Sequence, residues 1–410
     1  MKKTKLVCAV FCLALGFTLN AKELGRLKVL TYNVFGVFVA PDRDARSPRI
    51  GEEIAKLNPD IIGFQEAFAK RQRKEILRGL EKAGWGKPYE FYENHWYGPG
   101  VWIVSKYPIE RAKNYTYPLN GTPKDSDYYA QKSVAYARIK TPFGPLDFFD
   151  THFIARYSNT FDKQGNLVED DTSKSDRLLQ ADLMATVITR TSKENSGHSL
   201  IATGDFNSEP VLLEYKLFSA ISGLNNVVYE MPIVNCTAKE PDCNLDHRID
   251  DVFYQNYSGG SGFFLKPIEA RLVMYDKYQT KKGLLRLSDH NGLMVEFSVL
   301  SPDDPGVKTV NREDAKVMKA ASKGPQITSR MKDDLAAGKI MAGDPDWTAF
   351  SVSALDRLNA TRNRRNKIPT AAAKILSAKP GTQVVLAPKD IEQLKKAFDL
   401  FSKRGKAAGK

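Results

Sequence analysis

Four cysteines in 410 residues are too few for a disulfide-built scaffold. No Cys-x-x-Cys or His-x-x-x-His spacing offers a zinc or iron site, and histidine itself is sparse, at five. Neither a Gly-x-Ser-x-Gly elbow nor a phosphate-cradling P-loop occurs, which sets aside serine hydrolases and nucleotide triphosphatases. No apolar run reaches the roughly 20 residues needed to cross a bilayer as a helix. Internal repeats and low-complexity tracts are absent. With 42% hydrophobic and 27% charged residues, the chain nevertheless has material for one large core or two ordinary ones.

The charge is unevenly spread. Lys and Arg total 61 against 48 Asp and Glu, a formal +13, but residues 301–410 hold 22 basic and 12 acidic residues and so carry +10 of it. Residues 22–300 hold 36 of each sign. The body is neutral and the tail basic, so overall basicity says little about what the body binds. Lys2, Lys3 and Lys5, the apolar stretch Leu6–Leu19 and the small-residue step Asn20-Ala21 have the order of an export signal over residues 1–21. An exported protein, secreted or periplasmic, is expected. Removing the signal leaves Cys236 and Cys243, which enclose a loop-like Thr-Ala-Lys-Glu-Pro-Asp and are expected to form a local disulfide in an oxidising compartment.

Short apolar runs predict strands at Leu27–Val34, Asp60–Gln65, Val101–Ser105, Ser133–Ile139, Leu146–Thr151, Ser199–Gly204, Ile249–Tyr254 and Gly292–Val299. Amphipathic spacing predicts helices at Arg49–Leu57, Arg71–Ala83 and Ser175–Thr191. This is a mixed α/β domain over residues 22–300 with helices packed outside sheets. Ser301-Pro-Asp-Asp-Pro-Gly breaks the pattern. Residues 301–410 read as a basic, mostly helical extension of unknown role, with helices expected at Ala371–Ser377 and Asp390–Ser402 and a basic cluster at Arg362–Lys367.

Most predicted strands end in a polar residue. In chain order these are Asn33, Glu66, His152, Asp205 with Asn207, Asp250, and Asp289 with His290. One such residue is usually a cap or turn; a series of them at strand ends points to a shared site, because buried polar groups need partners. Carboxylates and an amide oxygen are hard ligands suited to Mg²⁺. Two histidines held by carboxylates can supply a general base and a general acid. Together they describe metal-assisted attack of water on a phosphoester.

Thr31-Tyr-Asn-Val, Gly63-Phe-Gln-Glu, Thr151-His, Gly204-Asp-Phe-Asn, Arg248-Ile-Asp and Ser288-Asp-His closely resemble the ordered motifs of the endonuclease/exonuclease/phosphatase superfamily. The resemblance covers about residues 26–300 and implies a four-layer α/β sandwich, two central mixed sheets flanked by helices as in pancreatic-type deoxyribonucleases. Within the superfamily the chain looks most like the neutral sphingomyelinases. Thr151-His-Phe-Ile-Ala-Arg-Tyr and Gly100-Val-Trp-Ile-Val-Ser-Lys-Tyr-Pro-Ile are similar to segments of those enzymes, and Asp127 with Lys132 matches an Asp/Lys pair that they carry.

The resemblance implies hydrolysis of sphingomyelin to ceramide and phosphocholine, with Mg²⁺ as cofactor and Mn²⁺ or Co²⁺ as substitutes. Glu66 would hold the metal with Asn33 assisting. His290 would act as base on water, oriented by Asp205; Asn207 would donate to the phosphoryl oxygen; His152, supported by Asp250, would serve the leaving side; Asp289 would position the site around His290. Lys132 would offer a mobile ammonium to phosphate, held by Asp127. An aromatic follows the Asp in the family where this chain has Asp251, which leaves open whether Asp250 or Asp251 faces the site. Phe263 and Phe264 offer an apolar tip for transient membrane contact, or the start of a core strand. The expected partner is a membrane sphingolipid met by a monomer. The alternative is an exported endonuclease, its basic tail gripping DNA or RNA.

Overall fold

The computed structural model describes residues 23–302 except 41, 94–97, 119, 122, 157–159, 162–166, 169–172, 196–197, 211, 232, 235–247, 257–261 and 281–282, and beyond them 327–341, 344, 346–347, 350–351, 371, 374–375 and 383–405. Residues 1–21, Cys236, Cys243 and the Arg362–Lys367 cluster lie outside the described residues.

Side-chain alternation decides the layers. In the strand Glu23–Asn33, Leu27 and Val29 point to one face and Leu30 and Tyr32 to the other. The strand sits inside a seven-stranded sheet ordered Ile233–Val234, Phe264–Val273, Gly292–Leu300, Glu23–Asn33, Ile61–Gln65, Trp102–Ser105, Tyr89–Phe91. A six-stranded sheet runs Asn225–Asn226, Asp250–Gln255, Ser199–Asp205, Gly144–His152, Ser133–Thr141, Ile109–Thr116. Leu27, Val29, Ile61 and Val295 of the first meet Phe148, Ile201 and Val252 of the second in one buried layer. Helices Arg43–Leu57 and Lys70–Lys82 cover the first sheet's outer face through Ile50, Ile54, Ile76 and Leu80. Helices Lys174–Glu194 and Leu213–Ser222 cover the second through Leu178, Met184, Ile188 and Phe218. The result is the expected four-layer sandwich.

All eight expected strands and the three expected helices of the body are present, with ends shifted by a few residues. Ile109–Thr116 is a strand that the sequence hides, because its edge position leaves most of its side chains partly or fully exposed. Phe264–Val273 is hidden for another reason: Pro267 interrupts it, and the pairing register shifts there. Phe263 and Phe264 are not an apolar tip. Both are buried, Phe263 packs edge-on against Phe143, and Phe264 opens that strand.

The tail has a core of its own. Met331 and Leu335 of helix Ser329–Ala337, Ile340, Trp347, Phe350, Leu386 and Leu394 of helix Pro388–Gly405 pack together. The extension is not only helical, since Lys339–Met341 pairs antiparallel with Gln383–Val385. Among the described residues no helix is long and apolar enough to cross a membrane.

Candidate active site

The site begins where the apolar layer between the sheets stops. Following the inward-facing positions along each strand, Leu27 and Val29 lead to Thr31 and Asn33, Phe148 to Asp150 and His152, and Ile201 to Thr203 and Asp205. On the neighbouring antiparallel strand Tyr254 and Val252 lead back to Asp250. Register then aligns the ends: Asp205 lies opposite His152 on one side and opposite Asp250 on the other. The same parity answers which aspartate faces the site. Asp251 points with Phe253 to the helix side, where its carboxylate takes Arg248 Nε at 2.6 Å and Asn226 Nδ2 at 3.0 Å.

Asp205 is the centre. Its Oδ2 accepts from Asn33 Nδ2 at 3.0 Å and lies 3.5 Å from His152 Nε2 and 3.7 Å from His290 Nε2; Oδ1 accepts the Asn207 amide at 2.9 Å. Burial alone would favour the neutral acid, but His290, His152 and Lys132 hold the carboxyl below its ordinary range, so it is ionised. His290 Nδ1 sits 2.8 Å from Asp250 Oδ2. Burial opposes an imidazolium there, yet Asp250 and Asp205 together raise His290 well above the ordinary histidine range. His152 goes the other way, pushed well below that range by burial and by Lys132.

Two expected relationships are corrected. Asp250 does not support His152, because the two flank Asp205 on opposite strands and Asp250 pairs with His290 instead. Nor is Lys132 a mobile ammonium. It is fully buried, with Nζ 2.8 Å from Asp127 Oδ2, 3.0 Å from His152 Nε2 and 2.7 Å from the Phe153 carbonyl, which occupies its three donors. The Asp127–Lys132 pair is therefore a buried charge set against a histidine rather than a surface ion pair.

Asn207 adopts a positive φ of 43° and donates from Nδ2 to the same Phe153 carbonyl at 2.9 Å. Glu66 also takes a left-handed backbone, φ 57°, in a loop fixed by Ala67 N to Gly100 O at 2.8 Å and by Arg73 Nη1 on the Ala67 and Phe68 carbonyls at 2.6 and 2.9 Å. Glu66 Oε2 is buried without a hydrogen-bond partner. Burial raises the carboxyl to about 7 against the pull of Lys132 and Asn33. An unsatisfied buried carboxylate beside an amide fits a hard divalent cation. Asp205, Asp250 and His290 also bring one ligand atom each within 4.8 Å of one another, a set that does not include Glu66. Asp289 is exposed at the mouth, its charge reaching both Glu66 and His290. Ser288 Oγ donates to the Asn33 carbonyl at 2.7 Å and ties the two segments together.

Sequence reasoning missed the clamp behind His152. Ile154 N donates to Gln180 Oε1 at 2.8 Å, Ala155 N to Asp127 Oδ2 at 2.8 Å, and Arg177, itself paired with Glu214 at 2.9 Å, donates to the Ile154 and Ala155 carbonyls. Nothing in a helix sequence signals such a contact to a distant loop. Trp102 stacks on Phe64 at 4.8 Å and Tyr92 lies under Arg73, whereas Tyr89 is exposed. His198 sits 3.5 Å from Asp147, five residues before His152 on the same strand. Of the other two histidines, His95 and His247, neither is among the described residues.

A sequence model described as the Endonuclease/Exonuclease/phosphatase family matches residues 30–290. The inositol phosphosphingolipids phospholipase C of Schizosaccharomyces pombe is 30% identical over 213 residues, 51% of this chain and 47% of that protein. Human sphingomyelin phosphodiesterase 2 is 24% identical over 298 residues, covering 67% of this chain and 65% of the other. The chain thus spans about half the length of the yeast relative and just under two thirds of the human one. Among solved structures, a beta toxin of Staphylococcus aureus superposes with a TM-score of 0.50 at 18% identity over 66% of this chain and 99% of that one, a likeness of fold.

Proposed function

Because the chain belongs to the endonuclease/exonuclease/phosphatase family, we propose that it is an exported, Mg²⁺-dependent phosphodiesterase that hydrolyses sphingomyelin to ceramide and phosphocholine. The carrying observation is the buried chain Asp127–Lys132–His152 set beside the Asp205–His290–Asp250 group, with the sphingolipid phosphodiesterases among its relatives as support.

A Mg²⁺ held by Glu66 and Asn33 would neutralise charge on the phosphate. The chain's own groups do the rest. His290 takes the proton of the attacking water at Nε2, and Asp250 at 2.8 Å fixes the Nδ1–H tautomer and stabilises the imidazolium. Asp205, ionised between the two histidines, adds its charge to that of Asp250 in favour of the His290 imidazolium. Asn207 Nδ2 has a second hydrogen for a phosphoryl oxygen, its first being given to Phe153 O. Lys132 places positive charge at the side where the lipid alkoxide develops, and His152, held neutral, accepts one of its N–H bonds at Nε2.

Exposed apolar side chains on loops next to the site support a lipid surface as the place of action. Phe38 and Val39 follow Asn33 by a few residues, Tyr128 and Tyr129 follow Asp127 directly, and Leu284 lies on a hairpin leading into Ser288. The name of the yeast relative favours a second headgroup, an inositol phosphate on a sphingolipid.

The test is release of phosphocholine from sphingomyelin in mixed micelles, beside inositol phosphoceramide and plasmid DNA, with Mg²⁺ and with chelator. Chelator-sensitive phosphocholine release with intact plasmid supports the proposal. Cleavage of inositol phosphoceramide alone transfers it to the second headgroup, and plasmid nicking without lipid cleavage replaces it with a nuclease.

A further inference from the structure

One step below the site, a polar layer joins the two sheets. Asp150 is wholly buried on the inner face of the six-stranded sheet, two residues before His152. Its Oδ1 accepts from Gln65 Nε2 of the opposite sheet at 2.7 Å and from Thr203 Oγ1 at 2.9 Å. Gln65 directly precedes Glu66 and also reaches Thr31 Oγ1 at 3.1 Å; Thr203 lies two residues before Asp205, and Thr31 two before Asn33. Each partner of Asp150 is thus one or two residues from a group of the site.

The chain makes room for this contact. Gly63 faces Asp150 from the first sheet, and a methyl group there would collide with both Thr203 Oγ1 and Asp150 Oδ1. The sheets approach at this level only because residue 63 has no side chain, and what fills the space is a carboxyl group rather than the Val, Ile or Phe of the layer beneath. A carboxyl in an apolar sandwich costs stability compared with a hydrophobe. Packing does not explain it; its hydrogen bonds, aimed at the chain segments that carry the site, do.

We propose that Asp150 is a positioning residue: through Gln65 and Thr203 it sets where Glu66 stands relative to His152 and Asp205, and so fixes the geometry in which a divalent cation and the histidines meet one phosphate. This rests on the metal-dependent reading of the site. Burial raises the Asp150 carboxyl well above its ordinary range despite the bonds from Thr203 and Gln65, and both bonds end on the single oxygen Oδ1, which a side-chain amide also offers. Asparagine is then its closest substitute.

The experiment compares wild type, Asp150→Asn, Asp150→Ala and Thr203→Val in two readouts: Mg²⁺-dependent thermal stabilisation, which needs no substrate, and kcat and KM on the cleaved phosphodiester. Asp150→Ala is expected to raise the Mg²⁺ concentration for half-maximal stabilisation and to lower kcat, each by about 10–100-fold, as loss of a group that orients metal ligands does. KM should change little. Asp150→Asn should restore both, and Thr203→Val should fall between. A purely structural role would lower the melting temperature and leave the Mg²⁺ half-point and kcat per folded molecule unchanged. That result in Asp150→Ala, or in Thr203→Val should the alanine variant not fold, overturns the proposal. So does an Asp150→Asn variant as impaired as the alanine one. A wild type stabilised by Mg²⁺ that cleaves no sphingolipid would sink the substrate reading while leaving this inference to be decided by the Mg²⁺ titrations.

Discussion

Asp250 Oδ2 lies 2.8 Å from His290 Nδ1, although 40 residues separate the two in the chain. The next residue, Asp251, faces the opposite layer and pairs with Arg248. Adjacent aspartates thus serve two different ends, and their substitutions should separate. Asp250→Asn should lower kcat by about 100-fold or more, in the range of general-base catalysis, with the melting temperature nearly unchanged. Asp251→Asn should leave kcat per folded molecule intact and cost about 3–5 kcal/mol, because Arg248 stays buried without its counter-charge. Kinetics and thermal melts on the two variants check this; equal kinetic defects would contradict the assignment.

His290 also fixes the direction of a pH effect. A base must start neutral, and Asp250 and Asp205 raise His290 above the ordinary histidine range. Activity should therefore climb with pH on an acidic limb that lies above about 6.5 in the free enzyme. Removing the Asp250 charge should move that limb toward acid. A kcat/KM profile of wild type and Asp250→Asn tests it, and an unmoved limb would assign the titration to another group.

Glu66 makes a prediction about stability. Burial pushes its carboxyl up to about 7 in the folded protein, against about 4.5 for a glutamate in water, so the folded state holds a proton that the unfolded state has lost. Stability in the presence of chelator should fall as pH rises from 4.5 to about 7, by about 3 kcal/mol from this group. Glu66→Gln should lack that fall. Mg²⁺ should recover the loss in wild type and do little for the variant. Denaturant melts at several pH values with and without Mg²⁺ provide the measurement.

Much of this was legible in the sequence, for a physical reason. A strand buried on one face repeats every two residues, so an apolar series ending in Asn33, His152 or Asp205 announces both the strand and the side on which its last residue appears. Asp250 against Asp251 could have been read the same way, by counting back from Val252 and Tyr254 in the inter-sheet core. What stayed hidden depends on contact between distant segments. The bond from Lys132 to His152 arises where the turn before Ser133–Thr141 meets the end of Gly144–His152, and no local pattern encodes it. Arg177 looks like a surface residue of an amphipathic helix until the loop after His152 packs on it. Asp150 directly precedes the Thr151-His motif, but its role needs Gln65 from the other sheet.

Lys132 offers a sharper test of the leaving side than His152 does. It is buried with all three donors used, and one of them faces His152 Nε2 at 3.0 Å. Lys132→Met keeps the length of the side chain and removes the charge that helps hold His152 neutral. Activity should drop by about 100-fold, and arginine should not rescue it, because a planar guanidinium cannot reproduce three bonds from one nitrogen to Asp127, His152 and the Phe153 carbonyl. A Lys132→Arg variant with near-normal turnover would reduce the residue to a generic positive charge.

The last prediction concerns the rim. Val39 is 91% exposed and Phe38 58%, on the loop that leaves the strand of Asn33. Apolar side chains held out in water beside a catalytic cleft are stable in isolation only at a cost, and that cost is removed where they enter a lipid interface. Neither side chain carries any chemical step proposed above. Replacing both with serine should therefore leave hydrolysis of sphingomyelin in detergent micelles at the wild-type rate at saturating substrate, while lowering hydrolysis in sphingomyelin–phosphatidylcholine vesicles by about tenfold, since each buried side chain of this size contributes about 1.5–3 kcal/mol and insertion is partial. Vesicle sedimentation of the variant should show the same loss of binding. Equal losses in micelles and vesicles would mean that the loop shapes the cleft; no loss in either would leave lipid contact to Tyr128, Tyr129 and Leu284.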